Sequence, residues 1–142
     1  MTVKQILDQK GRDVVTVNPS MGTEEAARFL ADNKIGAVVV IGAGGKISGI
    51  LSERDIVNAV ASKGVDALAK PISAFMTTKV TTCGESHSIN QVMELMTNGR
   101  FRHLPVEEDG ALVGIISIGD VVRRRIEDVE REAEEIKAYI AG

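Results

Sequence analysis

The period of the apolar positions changes several times along this chain, and each change marks an element. Val3-Lys4-Gln5-Ile6-Leu7-Asp8 reads as a short leading helix that stops near Gly11. Val14–Val17 reads as a strand closed by Asn18-Pro19 turn chemistry. Ala26, Phe29, Leu30 and Asn33 keep helical spacing within residues 23–33. Gly36–Ile41 is an unbroken apolar run, as expected of a strand covered on both faces. Gly42-Ala43-Gly44-Gly45 turns it back into Lys46–Leu51 as a hairpin, and Ser52 opens a helix that runs to about Ser62.

The same order then returns. Val80–Cys83 is the next predicted strand, and it aligns with Val14–Val17 at a shift of 66, which implies a one-residue deletion in the turn that follows it. Ile89, Val92, Met93 and Met96 mark a helix, Arg102–Val106 a strand, Glu108-Asp109-Gly110 a turn and Ala111–Ile116 the returning strand, after which Ser117 opens the last helix. Residues 23–57 laid over 88–122 without a gap align Gly49, Ile50, Ser52, Asp55 and Val57 with Gly114, Ile115, Ser117, Asp120 and Val122. Leu30/Leu95 and Asn33/Asn98 are identical in that register too, and Val39/Leu104 and Ile41/Val106 match in polarity. Each copy is therefore β-α-β-β-α, with copy one in residues 1–70 and copy two in 71–142. The stretch 63–76, with Lys70-Pro71 as a helix stop or start, joins them. The fold class is mixed α/β (α+β), two repeats related by a pseudo-two-fold axis and sharing a core, since some 65 residues are marginal alone.

The last helix outruns its copy-one counterpart. Val122, Ile126, Val129, Ala133, Ile136 and Ile140 step by 4, 3, 4, 3 and 4, a heptad-like seam. Arg123/Glu127, Glu127/Arg131 and Arg131/Glu135 stand at i,i+4 on its other faces. Such a helix packs on its own domain or meets a partner chain, and its extra length favours the partner, a second copy. Arg123-Arg124-Arg125 reads as a solvated face, with a phosphate or partner contact second.

Composition narrows the classes. The chain of 142 residues carries a net charge of −3, which argues against nucleic acid as a partner. Its aromatics (Phe29, Phe75, Phe101 and Tyr139) are too few to stack bases. No apolar run of signal-peptide or membrane-spanning length is present, so the expected location is cytoplasmic, with no membrane partner. Cys83 stands alone as a small hydrophobe, and with His87 and His103 it forms no metal-ligand spacing. No nucleophile with its base, no paired carboxylates and no Gly-x-x-x-x-Gly-Lys-Ser loop can be found, so the chain reads as a non-enzyme with no catalytic cofactor.

The chemistry concentrates in Ser52-x-x-Asp55 and Ser117-x-x-Asp120. Each has a plain structural explanation, a capping box that stabilises a helix start by around 1 kcal/mol. Its recurrence after Gly-Ile-(Leu/Ile) at equivalent places in a repeat points further. A helix N-terminus offers N–H groups and a positive dipole end to an anion, and a first-turn carboxylate can accept both hydroxyls of a ribose. A ribonucleotide fits better than a bare anion, which the Asp would repel. Arg54 in the first turn opposes the dipole unless an anion is near. Copy two has Gly119 there, but it brings Arg100, Arg102 and His103 where copy one has Ile35, Ala37 and Val38. An exposed strand face that blunts sheet pairing explains those cations equally well.

These residues resemble the cystathionine-β-synthase (CBS) domain family, as a CBS pair or Bateman module covering nearly the whole chain. The resemblance is carried by Gly49–Asp55 and Gly114–Asp120, by Phe75-Met76-Thr77 before Val80-x-Thr82, and by Arg102-His103-Leu104-Pro105-Val106. It implies binding of adenine ligands (AMP, ADP, ATP, NAD(H) or S-adenosylmethionine) in clefts between the copies. Ser52, Asp55, Ser117 and Asp120 would be the phosphate- and ribose-side residues. Thr16, Thr82 and backbone around Ala37–Val38 and His103–Leu104 would flank adenine, with Pro105 beside them. The family commonly regulates an attached domain. The expectation is thus a stand-alone, homodimeric energy or redox sensor acting on an unidentified regulated protein. A dimerisation scaffold with degenerate sites is the competing expectation, and an enzyme acting on bound nucleotide a third.

Overall fold

The computed structural model describes all residues, 1–142. Its elements, in chain order, are α1 (Val3–Lys10), β1 (Thr16–Val17), α2 (Thr23–Asn33), β2 (Ala37–Ile41), β3 (Ile47–Ser52), α3 (Glu53–Lys63), α4 (Ile89–Gly99), β4 (His103–Glu108), β5 (Ala111–Ser117) and α5 (Ile118–Ala141). Short 3-10 turns at Gly64–Ala69 and Ile72–Ala74 flank Lys70-Pro71. The chain divides into two compact units: Val14–Val80, and Met1–Asp13 together with Thr81–Gly142.

In the unit Val14–Val80, β2 lies between β1, which it meets in parallel, and β3, which it meets antiparallel. Its core is Val17, Ala26, Leu30, Val38, Val40, Leu51 and Ile72. The connector is pinned to this unit: Ile72 N–H donates to Met21 O at 2.8 Å and Thr23 Oγ1 to Lys70 O at 2.7 Å. Beyond it, Thr77 pairs with Ile50, each N–H donating to the other's carbonyl at 2.9 Å.

The other unit has a core of its own. Val3, Ile6 and Leu7 of α1 are buried with Cys83, Ile89, Val92, Met96, Leu104, Val106, Ile116 and Val121. The first N–H groups of α1 are satisfied here as well, by His87 O at 2.9 Å and Glu85 O at 3.0 Å. The boundary expected at residue 70 is therefore not where packing divides the chain. The leading helix, assigned to copy one, joins copy two because the apolar face it must bury finds its partners there.

The strand expected at Val80–Cys83 shrinks to a single parallel bridge, Cys83 with Val106. Cys83 N–H donates to Pro105 O and Glu107 N–H to Cys83 O, but the next rung needs an N–H from Pro105, which has none. The repeat register also differs from the gapless one. α2 and α4 stand 66 residues apart, as do Ala37 and His103, while Ser52 and Ser117 stand 65 apart. The missing residue is in the hairpin, where copy one turns through Ala43–Gly45 and copy two through Asp109-Gly110 with both φ positive, the two-residue turn that suits strand twist. Val38 and Val40 thus correspond to Leu104 and Val106, and Arg100, Arg102 and His103 to Lys34, Gly36 and Ala37. Lys34 and Arg100 both cap their helices in the left-handed region, at φ 54° and 55°.

On α5 the expected i,i+4 pairs give way to a cluster on Asp128, which is buried and lies 2.7 Å from Arg131 and 3.5 Å from Arg124. Arg123 and Arg125 are exposed as expected of a solvated face, but Arg124 is not: its side chain is 12% exposed and its Nη2 approaches Met1 Sδ. From Val129 onward every residue of α5 is exposed.

Candidate functional site

Each hairpin ends in a Ser that caps the next helix. Ser52 Oγ accepts from Asp55 N–H at 3.3 Å while Asp55 Oδ2 accepts from Ser52 N–H at 3.0 Å. Ser117 and Asp120 repeat this at 3.2 and 2.9 Å. The first N–H of each helix is also taken alike, Glu53 donating to Gly36 O at 3.0 Å and Ile118 to Arg102 O at 2.8 Å. Helix start and strand start are thus tied together in both units. Across the strands Ala37 faces Ser52, and His103 faces Ser117.

Ala37, Ser52, Arg54 and Asp55 therefore share one end of the Val14–Val80 unit, with Thr16 opposite Val39 on the next strand. Arg102, His103, Ser117 and Asp120 share the equivalent end of the other. Thr16, Arg54 and Arg102 are exposed, and His103 and Thr82 half-buried. Val38 and Leu104 point into their cores, which leaves only their backbone to face a ligand. Pro105 is buried and its carbonyl already accepts from Cys83 N–H at 3.1 Å. Its evident work is to end the sheet ladder.

The two Asp side chains differ in their further partners. Asp55 Oδ1 accepts from Thr77 Oγ1 at 3.3 Å. Asp120 Oδ2 accepts from Lys10 Nζ at 2.6 Å, and the same ammonium donates to Ile115 O at 2.9 Å. Burial by itself would raise the Asp120 carboxyl, but the Lys10 ammonium and the Ser117 N–H outweigh it and hold the group below the ordinary value of 3.8. Sequence reasoning gave neither Lys10 nor Thr77 a role. Thr77 stands in a segment that carried the family resemblance, but Lys10 has no local signal, being 110 residues from its partner.

Burial, with Glu108 adding to it, pushes the Cys83 thiol up to about 12, which makes it unreactive at neutral pH. His87 Nδ1 accepts from Gly84 N–H at 2.9 Å, a turn contact. No helix is long and apolar enough to cross a membrane.

The twice-built strand, hairpin and Ser-capped helix defines a class, a tandem repeat with one helix N-terminus per repeat presented at a sheet end. The CBS-domain family model matches residues 3–62 and 72–127, and the chain belongs to that family as a CBS pair. The crystal structure of the CBS-domain containing protein ATU1752 from Agrobacterium tumefaciens is 55% identical, covers 87% of this chain and 92% of its own, and superposes with a TM-score of 0.85. The CBS domain pair of protein MJ0100, solved in complex with 5′-methylthioadenosine and S-adenosyl-L-methionine, is 27% identical over 90% of this chain and 98% of its own, with a TM-score of 0.79. The CBS domain protein PAE2072 from Pyrobaculum aerophilum, complexed with AMP, is 27% identical over 84% of this chain and 89% of its own, with a TM-score of 0.74.

Proposed function

We propose that this CBS pair is a cytoplasmic regulatory module that binds adenine nucleotides at the N-termini of α3 and α5, works as a homodimer and catalyses nothing itself. The observation that carries the reading is the double occurrence of one constellation, an N-cap Ser and an N3 Asp at the end of a hairpin. Related CBS pairs solved with AMP and with S-adenosyl-L-methionine support an adenine ligand of that kind. The helix N-terminus suits a phosphate and the carboxylate suits ribose hydroxyls. Thr16, Thr82 and the backbone of Ala37–Val38 and His103–Leu104 line the adenine side, and Arg54, Arg102 and His103 the phosphate side. Regulation follows from differential affinity: a nucleotide that binds one arrangement of the protein better shifts the population toward it, and a partner polypeptide reads the shift. Response to AMP against ATP would make the module an energy sensor, and response to NAD(H) a redox sensor.

The test is calorimetry with AMP, ADP, ATP, NADH and S-adenosylmethionine, preceded by native mass spectrometry for a retained ligand. Asp55→Ala and Asp120→Ala should each weaken one site, because each removes a charge-assisted acceptor worth ~1.5–3 kcal/mol. Unchanged affinity and stoichiometry in both folded variants would leave the capping boxes as purely structural. The scaffold reading has one observation in its favour, the uncovered apolar seam of α5. Millimolar or absent affinity for every adenine compound, together with a stable dimer, would establish it.

A further inference from the structure

The segment that precedes the first strand of each repeat ends against the edge of a hairpin, and the two endings are chemically different. In the Val14–Val80 unit it is Thr77 that bonds Ile50, and its neutral hydroxyl reaches Asp55. In the other unit the atom bonded to Ile115, the repeat counterpart of Ile50, is the ammonium of Lys10, and this ammonium reaches Asp120. The first turns differ in the complementary sense: α3 carries Arg54, whereas α5 has Gly119 at that place. A carboxylate at a helix start repels a phosphate; where the first repeat sets Arg54 in the same turn, the second has Arg102 and His103 on the neighbouring strand start, and α1 adds the cation that touches the carboxylate itself, Lys10.

Resting on the reading just given, we infer that Lys10 is a specificity-determining residue of the second repeat's site, where it selects ligands bearing a phosphate over the uncharged nucleoside. Lys10 and the Ser117 N–H converge on Asp120 Oδ2, while Oδ1 lies 3.8 Å from Arg123 Nη1. The carboxylate is thereby neutralised on one oxygen and keeps the other for hydroxyl donors. Lys10, Arg123 and Arg124, against Asp120 and Glu127, line a cavity of about 160 Å³ whose lining carries one net positive charge. The Asp120 side chain is 13% exposed and that of Lys10 35%, so water screens the compensation only in part.

The experiment isolates the second site in Asp55→Ala protein and measures AMP and adenosine by calorimetry, with Lys10 intact, as Lys10→Gln, which removes the charge and keeps a polar side chain, and as Lys10→Arg, which keeps the charge. With Lys10 intact, AMP should bind at least tenfold tighter than adenosine. Lys10→Gln should weaken AMP at least tenfold and leave adenosine within threefold, and Lys10→Arg should restore most of the loss. Equal effects on AMP and adenosine, or tighter AMP binding once Lys10 is gone, overturn the inference, the latter because the ammonium would then be a competitor for Asp120. Undiminished AMP binding after Asp120→Ala in the same background, or no binding of either compound to the wild type, overturns the site reading beneath it.

Discussion

Gly49 and Gly114 recur in the two repeats because in each unit something passes too close for a side chain. A Cβ on Gly49 would stand 2.7 Å from Thr77 O and 3.0 Å from Met76 Sδ, and one on Gly114 would stand 2.8 Å from Leu7 Cδ2. The neighbours differ in how far they can yield. Thr77 is backbone held by two hydrogen bonds to Ile50, whereas Leu7 offers the end of a side chain. Gly49→Ala should therefore destabilise by about 1–3 kcal/mol, the usual cost of overpacking. The entropy that Ala removes from the unfolded chain, worth about 0.4–1 kcal/mol, offsets little of this. Gly114→Ala should cost less. Urea denaturation of both variants checks the order, and equal midpoints would contradict it.

The Lys10–Asp120 pair has an acid signature at the same scale. A carboxyl depressed below 3.8 contributes stability in full above that value and loses it as pH falls through the lower folded value. Asp8 is depressed too, chiefly by Arg12 and then Lys4, but it is exposed and its share is screened. Lys10→Gln should let the Asp120 carboxyl titrate higher and move acid unfolding of its unit to higher pH. Carboxyl NMR read against pH would follow both, and an Asp120 titration unmoved by the substitution would contradict the pairing.

At the scale of elements, α5 is the one whose local physics and environment disagree. Its first turns bury Val121 and Asp128, as a helix packed on its own unit should. Past them Val129, Ile136 and Ile140 are 48, 60 and 78% exposed, and Val122 and Ile126, earlier on the same seam, are 43 and 53% exposed. An apolar seam left in water is expected to find a partner. In the proposed homodimer, Ile126→Glu with Ile136→Glu should split the dimer by placing unpaired charge in the seam, while changing the stability of the separate chain little. Ending the chain after Arg131 should weaken the dimer and spare both nucleotide sites, whose motifs end at Val122. Light scattering decides the matter: a wild type monomeric at tens of micromolar refutes the seam, and a truncated dimer of unchanged affinity moves the interface elsewhere.

For the whole molecule, the most consequential fact is that one unit is discontinuous in sequence. Val3, Ile6 and Leu7 are at most 4% exposed, and burying each is worth roughly 1.5–3 kcal/mol. Their sum is comparable with the ~5–15 kcal/mol by which a domain is stable. Deleting residues 1–13 should thus unfold 81–142, including the α5 site, and leave Val14–Val80 folded on its own core. Hydrogen exchange should show protection lost in the first segment and kept in the second. Loss in 14–80 instead would mean that α1 serves copy one after all.

What was legible from the sequence is what depends on near neighbours. The extent of α1 and α2, the apolar run of β2, the Ser caps of α3 and α5 and the repeat itself follow from propensity, capping and periodicity, each acting within a few residues. The choice of Ser52, Asp55, Ser117 and Asp120 as candidate ligands belongs with them, since a capping box is a local motif. Only the tertiary structure decided the rest. It placed α1 against copy two, because an apolar face does not say which of two similar cores will cover it. It placed the missing residue in the hairpin, because apolar residues at Val38, Val39 and Val40 match either register. It cut the second repeat's first strand to one bridge, because the absent N–H of Pro105 matters only to the strand beside it. It set Lys10 on Asp120 for the same reason: a charge pair 110 residues apart along the chain is made by packing, and no spacing announces it.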